Sequence, residues 1–135
     1  MPVNTPDADE RLRNLAHVAA GHDGLNLLVL HGSRARGEVR PDSDWDFGYL
    51  ADGPFDPDAL LASAVGALGA DAIDLVDLSR ASGQLRYRAA GEAQVVFART
   101  AGAFDSFWLD AVSFWCDAAP VLRAGYDQVL EDMTK

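Results

Sequence analysis

Residues 31–50 read HGSRARGEVRPDSDWDFGYL and contain the most informative pattern in this chain. A Gly-Ser pair, Gly32 and Ser33, precedes an Asp-x-Asp pair formed by Asp44 and Asp46. An apolar run leads into the pattern and a shorter apolar run leaves it. This arrangement predicts a strand, a glycine-bracketed turn that opens a short helix, and a second strand with two carboxylates.

The two carboxylates of the Asp-x-Asp pair are predicted to share one face of the second strand. Side chains two residues apart on a strand point the same way, so Asp44 and Asp46 converge while Trp45 and Phe47 turn into the core. Converging carboxylates repel each other unless a cation lies between them or one takes up a proton. Magnesium suits such a pair, because it binds one or two carboxylates together with phosphate oxygens and water.

The Gly-Ser turn is predicted to bind phosphate. Gly32 lets the backbone turn sharply, and the amides that follow open a helix whose N-terminus attracts anions. The hydroxyl of Ser33 is expected to donate to the same oxygens. Arg34 and Arg36 add positive charge, and we expect one of them to face solvent. The stretch is not a P-loop, because no Gly-Lys-[Ser/Thr] follows Gly32.

A third carboxylate is expected from a neighbouring strand, about 5 Å away across the sheet. The segment AIDLVDL, residues 72–78, offers Asp74 and Asp77, which face opposite sides of a strand because they are three residues apart. Asp74 lies inside the apolar run, where an acid is costly unless it is paired. Asp77 is nearer the strand end and is expected to be solvated or to cap a turn. We therefore select Asp74.

The whole chain alternates helical and strand patterns, which predicts the α/β class with a small mixed sheet flanked by helices. The predicted elements are a helix over 7–20, strands over 25–31 and 45–51, a helix from Asp56-Pro57 to Leu68, a strand over 72–78, a helix over 80–90 capped by Ser79, a strand over 94–98, and a helical segment from Thr100 that Pro120 divides and that continues to about Met133. We predict one domain, 1–135, with its core at about 10–100 and a helical C-terminal segment at about 100–133.

Composition narrows the class of protein. The net charge of −10 argues against direct nucleic-acid binding and favours a basic protein partner or divalent metal ions.

Cys116 is the one cysteine, which excludes an internal disulfide, and its aromatic neighbours predict a buried, inert thiol. No apolar stretch reaches the ~20 residues that span a bilayer, and the polar, acidic N-terminus is unlike a signal peptide. We expect no membrane association and a cytoplasmic location.

The motifs GSRARG, SDWDF and IDLVDL, with the stretch DLSRASGQLR at residues 77–86, resemble the minimal nucleotidyltransferases of the DNA polymerase β superfamily. More closely, they are similar to MntA-type antitoxins, which pair with a HEPN-domain ribonuclease toxin. The resemblance covers about residues 10–100. It departs from the family at Trp45, where an aliphatic residue is more usual. It implies a polymerase-β-type nucleotidyltransferase fold.

The resemblance also implies an activity. ATP would be the substrate, and AMP would pass to a tyrosine hydroxyl of the HEPN toxin and silence it. Asp44, Asp46 and Asp74 would be the catalytic residues and would hold two Mg²⁺ ions, which stabilise both the attacking and the leaving oxygens. The nucleotide-binding residues would be Gly32, Ser33, Arg34, Arg36 and Ser43.

Two other functions stay open at this point. A small-molecule nucleotidyltransferase of the aminoglycoside type is one, although such enzymes generally carry an added substrate domain. An antitoxin that neutralises its partner by occlusion alone is the other, since acidic charge suits a basic ribonuclease. His31, which precedes Gly32, either touches the site or is structural. The aromatic residues of the C-terminal segment are expected to form core or a partner interface.

Overall fold

The computed structural model describes residues 8–37 and 44–117, which form a four-stranded sheet and its covering helices. In chain order the elements are α1 (Ala8–Ala19), β1 (Leu25–His31), β2 (Trp45–Ala51), α2 (Pro57–Leu68), β3 (Ile73–Asp77), α3 (Gly83–Glu92), β4 (Gln94–Ala98) and α4 (103–117). The predicted α/β class, with a small mixed sheet flanked by helices, is confirmed.

The strand order is β3-β2-β1-β4. β1 runs antiparallel to both β2 and β4, whereas β2 and β3 are parallel and are connected through α2. Parallel neighbours need such a crossover, while antiparallel neighbours do not. The end of β1 at His31 therefore lies at the same end of the sheet as the starts of β2 at Trp45 and β3 at Ile73. We call this end of the sheet, where these strands start or stop, the Gly32 edge, after the residue that follows β1.

Alternation along the strands sends apolar side chains to both faces of the sheet. One face packs against α1 and α2, and its buried residues include Leu28, Leu30, Trp45, Phe47 and Tyr49. The other face packs against α3 and α4 and buries a smaller cluster, which contains Leu27, Val29, Leu78, Ala89, Ala90, Phe107 and Ala111. Because even-numbered residues of β2 point to the second face, that face receives Asp46.

Helix α2 begins and ends as its sequence predicts. Asp56 is the N-cap, and its carboxylate accepts hydrogen bonds from the amides of Asp58 and Ala59 at 3.0 and 3.2 Å. Pro57 stands at the first helical position, where its missing N–H costs nothing. Gly69 ends the helix with a left-handed φ of 63°.

Helix α3 begins three residues later than the sequence predicted. Ser79 is not its cap, because the amide and hydroxyl of Ser79 both donate to Asp77 Oδ1, at 2.9 and 2.6 Å. The N-cap is Ser82, whose hydroxyl oxygen accepts from the amide of Leu85 at 3.1 Å. Both Ser79 and Ser82 precede the helix, but hydrogen bonds to the carboxylate of Asp77 hold Ser79 in a turn, so Ser82 is the cap.

The short helix predicted after Gly32 is a series of turns instead. The amide of Arg36 donates to the carbonyl of Gly32 at 3.2 Å, and that of Gly37 to the carbonyl of Arg34 at 3.3 Å. Gly32 and Gly37 both have left-handed φ values, 77° and 79°. They leave too few residues between them for a helix to propagate.

Several further expectations concern single residues and the end of the chain. The predictions for Ser43, for Pro120 and for the continuation to Met133 fall outside the described residues. Cys116 is exposed, so the expectation of a buried thiol was wrong; α4 presents this side chain away from its packed face. Across residues 8–37 and 44–117, no helix has both the length and the apolar character needed to cross a membrane.

Candidate active site

Asp46 and Asp74 are brought side by side at the Gly32 edge. They are direct partners in the parallel pairing of β2 and β3. Register partners on adjacent strands point to the same face, so both carboxylates project from the face that α3 and α4 cover. Asp46 is half-buried and Asp74 is exposed. The result is an acidic pair at the rim of the sheet, open to solvent on one side.

Asp44 and Asp77 occupy different positions relative to this pair. Asp44 is exposed and directly precedes β2, two residues before Asp46. Asp77 pairs with Tyr49 in the register, on the opposite face of the sheet from Asp74. Asp77 also caps the turn at Ser79, as expected of a residue at a strand end. The structure therefore places Asp74, and not Asp77, on the face of Asp46.

The environment of Asp46 resists its negative charge. Burial raises the pKa of this carboxyl above its usual range, and the neighbouring carboxylates Asp74 and Asp44 raise it further. His31 and Arg36 oppose the shift, because they favour the ionised form. Repulsion among the three acids is the condition that a divalent cation relieves.

A magnesium ion fits this donor set. The described residues contain no preformed group of three metal-ligating side chains. Magnesium does not require one, because it is commonly held by one or two carboxylates with phosphate oxygens and water completing the octahedron. Asp46 and Asp74 supply two adjacent carboxylates, and Asp44 stands near enough to act on the pKa of Asp46.

The turn at Gly32 is shaped around Asp46. The φ of Gly32 is 77°, which side chains other than glycine rarely adopt. A Cβ atom at this position would collide with the Oδ2 atom of Asp46 and would lie 3.2 Å from its Cγ. Glycine is therefore required at position 32 for two reasons: its backbone conformation, and the space that the carboxylate of Asp46 fills. Ser33 follows directly and is half-buried.

The two arginines of the turn point to different places. The guanidinium of Arg34 lies 4.0 Å above the ring of Trp45, whose side chain belongs to the cluster beneath α1 and α2. Burial lowers the pKa of Arg34, as does the nearby charge of Arg11. Arg36 instead forms an ion pair with Glu92, at 2.9 Å between Nη1 and Oε1. Of the two arginines, Arg36 is the one held next to the backbone of Gly32.

Glu92 is the residue that the sequence did not reveal. It ends α3, and its Oε2 atom accepts a hydrogen bond from the amide of Gly32 at 3.3 Å. Sixty positions separate the two residues in sequence. They meet because β4, which follows Glu92, pairs with β1 so that Gln94 lies opposite Leu30. No local motif signals this contact, since it depends on the order of the strands.

His31 is more deeply placed than its sequence position indicated. It is the register partner of Asp46 across the antiparallel pairing of β1 and β2, and its side chain is 8% exposed. Its Nε2 atom is buried and has no hydrogen-bond partner among the described residues. The structure thus places His31 as a buried ring beside the acidic pair.

The aromatic residues near the end of the described chain divide between core and surface. Phe107 is buried against the sheet, whereas Trp108 and Phe114 are 42% and 53% exposed. A groove of about 570 Å³ lies between α3 and α4, and its lining includes Tyr87, Trp108 and Trp115. Of Phe107, Trp108 and Phe114, only Phe107 is therefore a core residue. The rings of Trp108 and Phe114 lie on the surface.

Comparison with known families and proteins agrees with this geometry. The profile of the family described as polymerase beta, nucleotidyltransferase matches residues 13–101. The protein adenylyltransferase MntA of Aphanizomenon flos-aquae (strain 2012/KM1/D3) is 34% identical over 95 aligned positions, and the match covers 62% of this chain and 63% of that protein. The match therefore spans less than two thirds of that relative's length.

Solved structures with the same fold include chains from toxin–antitoxin complexes. A chain of a toxin–antitoxin crystal structure with AMP-PNP superposes with a TM-score of 0.67 at 23% identity, covering 96% of this chain and 100% of the other. A chain from the complex of a tri-AMPylated Shewanella oneidensis HEPN toxin with an MNT antitoxin gives 0.55 at 25% identity, covering 83% and 85%. The predicted polymerase-β-type nucleotidyltransferase fold is confirmed.

Proposed function

Because this chain belongs to the polymerase beta nucleotidyltransferase family, we propose that it transfers AMP from ATP to a hydroxyl group of a partner protein. The observation that carries the proposal is the side-by-side position of Asp46 and Asp74 at the edge where Gly32 turns. The similarity to a protein adenylyltransferase supports a protein acceptor over a small molecule.

The proposed partner is a HEPN ribonuclease toxin, and the acceptor is one of its tyrosine hydroxyls. Support comes from the likeness to chains of complexes that contain a HEPN toxin and an MNT antitoxin, one of them tri-AMPylated. The net charge of −10 supports a basic partner, because opposite charges speed association and favour the correct partner. In this proposal the chain is an antitoxin that acts by modification.

In the proposed reaction the acceptor oxygen bonds to the α-phosphorus of ATP. The bond from that phosphorus to the oxygen bridging to the β-phosphate breaks, and pyrophosphate leaves. Asp74 takes the proton of the acceptor hydroxyl. Asp44 and Asp46 lie on the side of the site where the nucleotide binds. Gly32, Ser33 and Arg36 bind the phosphates that leave.

Two Mg²⁺ ions are assigned to the three carboxylates, Asp44, Asp46 and Asp74. When bound, they neutralise the negative charge that accumulates on the attacking and leaving oxygens. The raised pKa of Asp46 supports this assignment, since a neighbouring cation offsets the burial and the two like charges that resist ionisation. Holding the three carboxylates close together without a cation costs the protein free energy.

The test is transfer of label from ATP to a purified HEPN toxin. The chain, Mg²⁺ and the toxin are incubated with ATP labelled at the α-phosphate, and in parallel with ATP labelled at the γ-phosphate. We expect label on a toxin tyrosine from the first and none from the second. Asp46→Asn is expected to abolish transfer without unfolding the chain. Protection of cells by Asp46→Asn, equal to that by the unmodified chain, would favour occlusion instead.

A further inference from the structure

The carboxylate of Glu92 is bound by the two donors that border the Gly32 turn. Its Oε2 atom accepts from the amide of Gly32 at 3.3 Å, and its Oε1 atom accepts from Nη1 of Arg36 at 2.9 Å. The side chain of Glu92 is only 21% exposed, compared with 40% for Arg36. One anionic group therefore uses two oxygens to bind a backbone N–H and a guanidinium at the same point.

This pair of donors is the kind that binds a phosphate group. Phosphate oxygens and carboxylate oxygens both accept from backbone amides and from arginine in charge-assisted hydrogen bonds. A backbone amide beside a glycine turn is a common part of anion-binding loops. Glu92 thus satisfies, from within the chain, a set of donors that an external anion would otherwise use.

We propose that Glu92 occupies the triphosphate position of the nucleotide-free protein and competes with the phosphates of ATP. This inference rests on the proposed function, because it assigns the Gly32 turn to the nucleotide phosphates. Binding of nucleotide then requires the carboxylate of Glu92 to leave the amide of Gly32 and the guanidinium of Arg36. The contact sets the nucleotide affinity of the site.

The direction of the effect follows from charge. In the free protein Glu92 neutralises Arg36, and this attraction must be lost before a phosphate can gain it. In the bound protein a displaced but nearby carboxylate repels the phosphates. Both effects weaken nucleotide binding, so removal of the charge at Glu92 strengthens it.

The test compares Glu92→Gln with the unmodified chain in direct binding measurements without any acceptor protein. The ligands are AMP-PNP with Mg²⁺ and inorganic tripolyphosphate. Glutamine keeps the shape and an accepting oxygen but removes the charge. We expect the Kd for both ligands to fall by about twofold to fivefold, which lies within the range that a partly exposed ion pair contributes. Asp105→Asn, an exposed acid on α4, has the same change in charge and is expected to leave both Kd values unchanged.

A second measurement reports the contact itself. The amide resonance of Gly32 is expected to move in Glu92→Gln without ligand, and to move in the unmodified chain when tripolyphosphate is added. An unchanged or higher Kd in Glu92→Gln overturns the inference, as does failure of both proteins to bind tripolyphosphate. Neither result depends on AMP transfer. If nucleotide binds as expected but no label reaches the toxin, the proposed function fails while the competition by Glu92 stands.

Discussion

Asp46 and Asp74 are direct register partners across the parallel pairing of β2 and β3, so their carboxylates leave the same face of the sheet. The fold produces this pairing through α2, which returns the chain to the Gly32 edge so that β3 starts beside β2. Two acids separated by 28 positions in sequence thereby become neighbours. The chemistry proposed for the chain depends on this relationship.

Gly32→Ala is expected to inactivate the chain by displacing Asp46. The new Cβ meets the end of the Asp46 side chain, which moves more readily than the backbone. The left-handed φ adds about 1–2 kcal/mol of strain. Gly53→Ala is the control, because its φ is 65° but nothing lies within 4 Å of its added Cβ. Chemical denaturation should show similar losses in both variants, and AMP transfer should be lost only in Gly32→Ala.

Asp46→Asn is expected to be at least as stable as the unmodified chain at pH 7. Burial raises the pKa of Asp46, so the folded state binds the proton more tightly than the unfolded state does. Ionisation of Asp46 therefore costs folding free energy, fully so at pH values above the raised pKa, and the cost is absent below the unfolded value of about 3.9.

The measurement for this variant is the free energy of unfolding in urea at pH 7 and at pH 4. The advantage of Asp46→Asn should shrink as the pH falls. Asp105→Asn, whose position is exposed, serves as the control for a change in net charge. A variant that is less stable than the unmodified chain at pH 7 would contradict the assigned cost of the buried charge.

The two arginines of the turn are expected to have separable roles. Arg36→Gln should raise the Kd for AMP-PNP severalfold, because it removes the guanidinium held beside the amide of Gly32. Arg34→Gln should lose about 0.5–1 kcal/mol of stability with its contact to Trp45, and should change the Kd little. Calorimetry and thermal unfolding of both variants provide the comparison. Equal effects on binding would show that both arginines reach the phosphates.

Much of the fold was predictable because its signals are local. The strands over 25–31, 45–51 and 94–98 were predicted with the bounds that the structure has, since each is an apolar or alternating run between turn residues. The bounds of α2, from Asp56-Pro57 to Leu68, were predicted because Asp and Pro have strong preferences for the start of a helix. The start of α3 was wrong because Ser79 and Ser82 are equivalent as caps until the position of Asp77 is known.

The candidate site was predictable only in part, for a similar reason. Alternation along one strand showed that Asp74 and Asp77 face opposite sides, and Asp74 was selected because it lies inside the apolar run. The contact of Glu92 with Gly32 depends on the pairing of β4 with β1, and the stacking of Arg34 on Trp45 depends on the path of the turn. Neither has a signal in the sequence around it, because the first arises from the order of the strands and the second from the path of the turn.

The most direct test of whether Asp46 and Asp74 form the reaction site compares the rates of AMP transfer by two variants, Asp74→Asn and Asp77→Asn. Both substitutions remove one charge from the same strand, three residues apart, but from opposite faces of the sheet. In a single-turnover assay with α-labelled ATP and the toxin, we expect Asp74→Asn to lower the rate by about 100-fold or more. Asp77→Asn should keep most of the rate. Equal rates in the two variants would contradict a catalytic role for the face that Asp46 and Asp74 share.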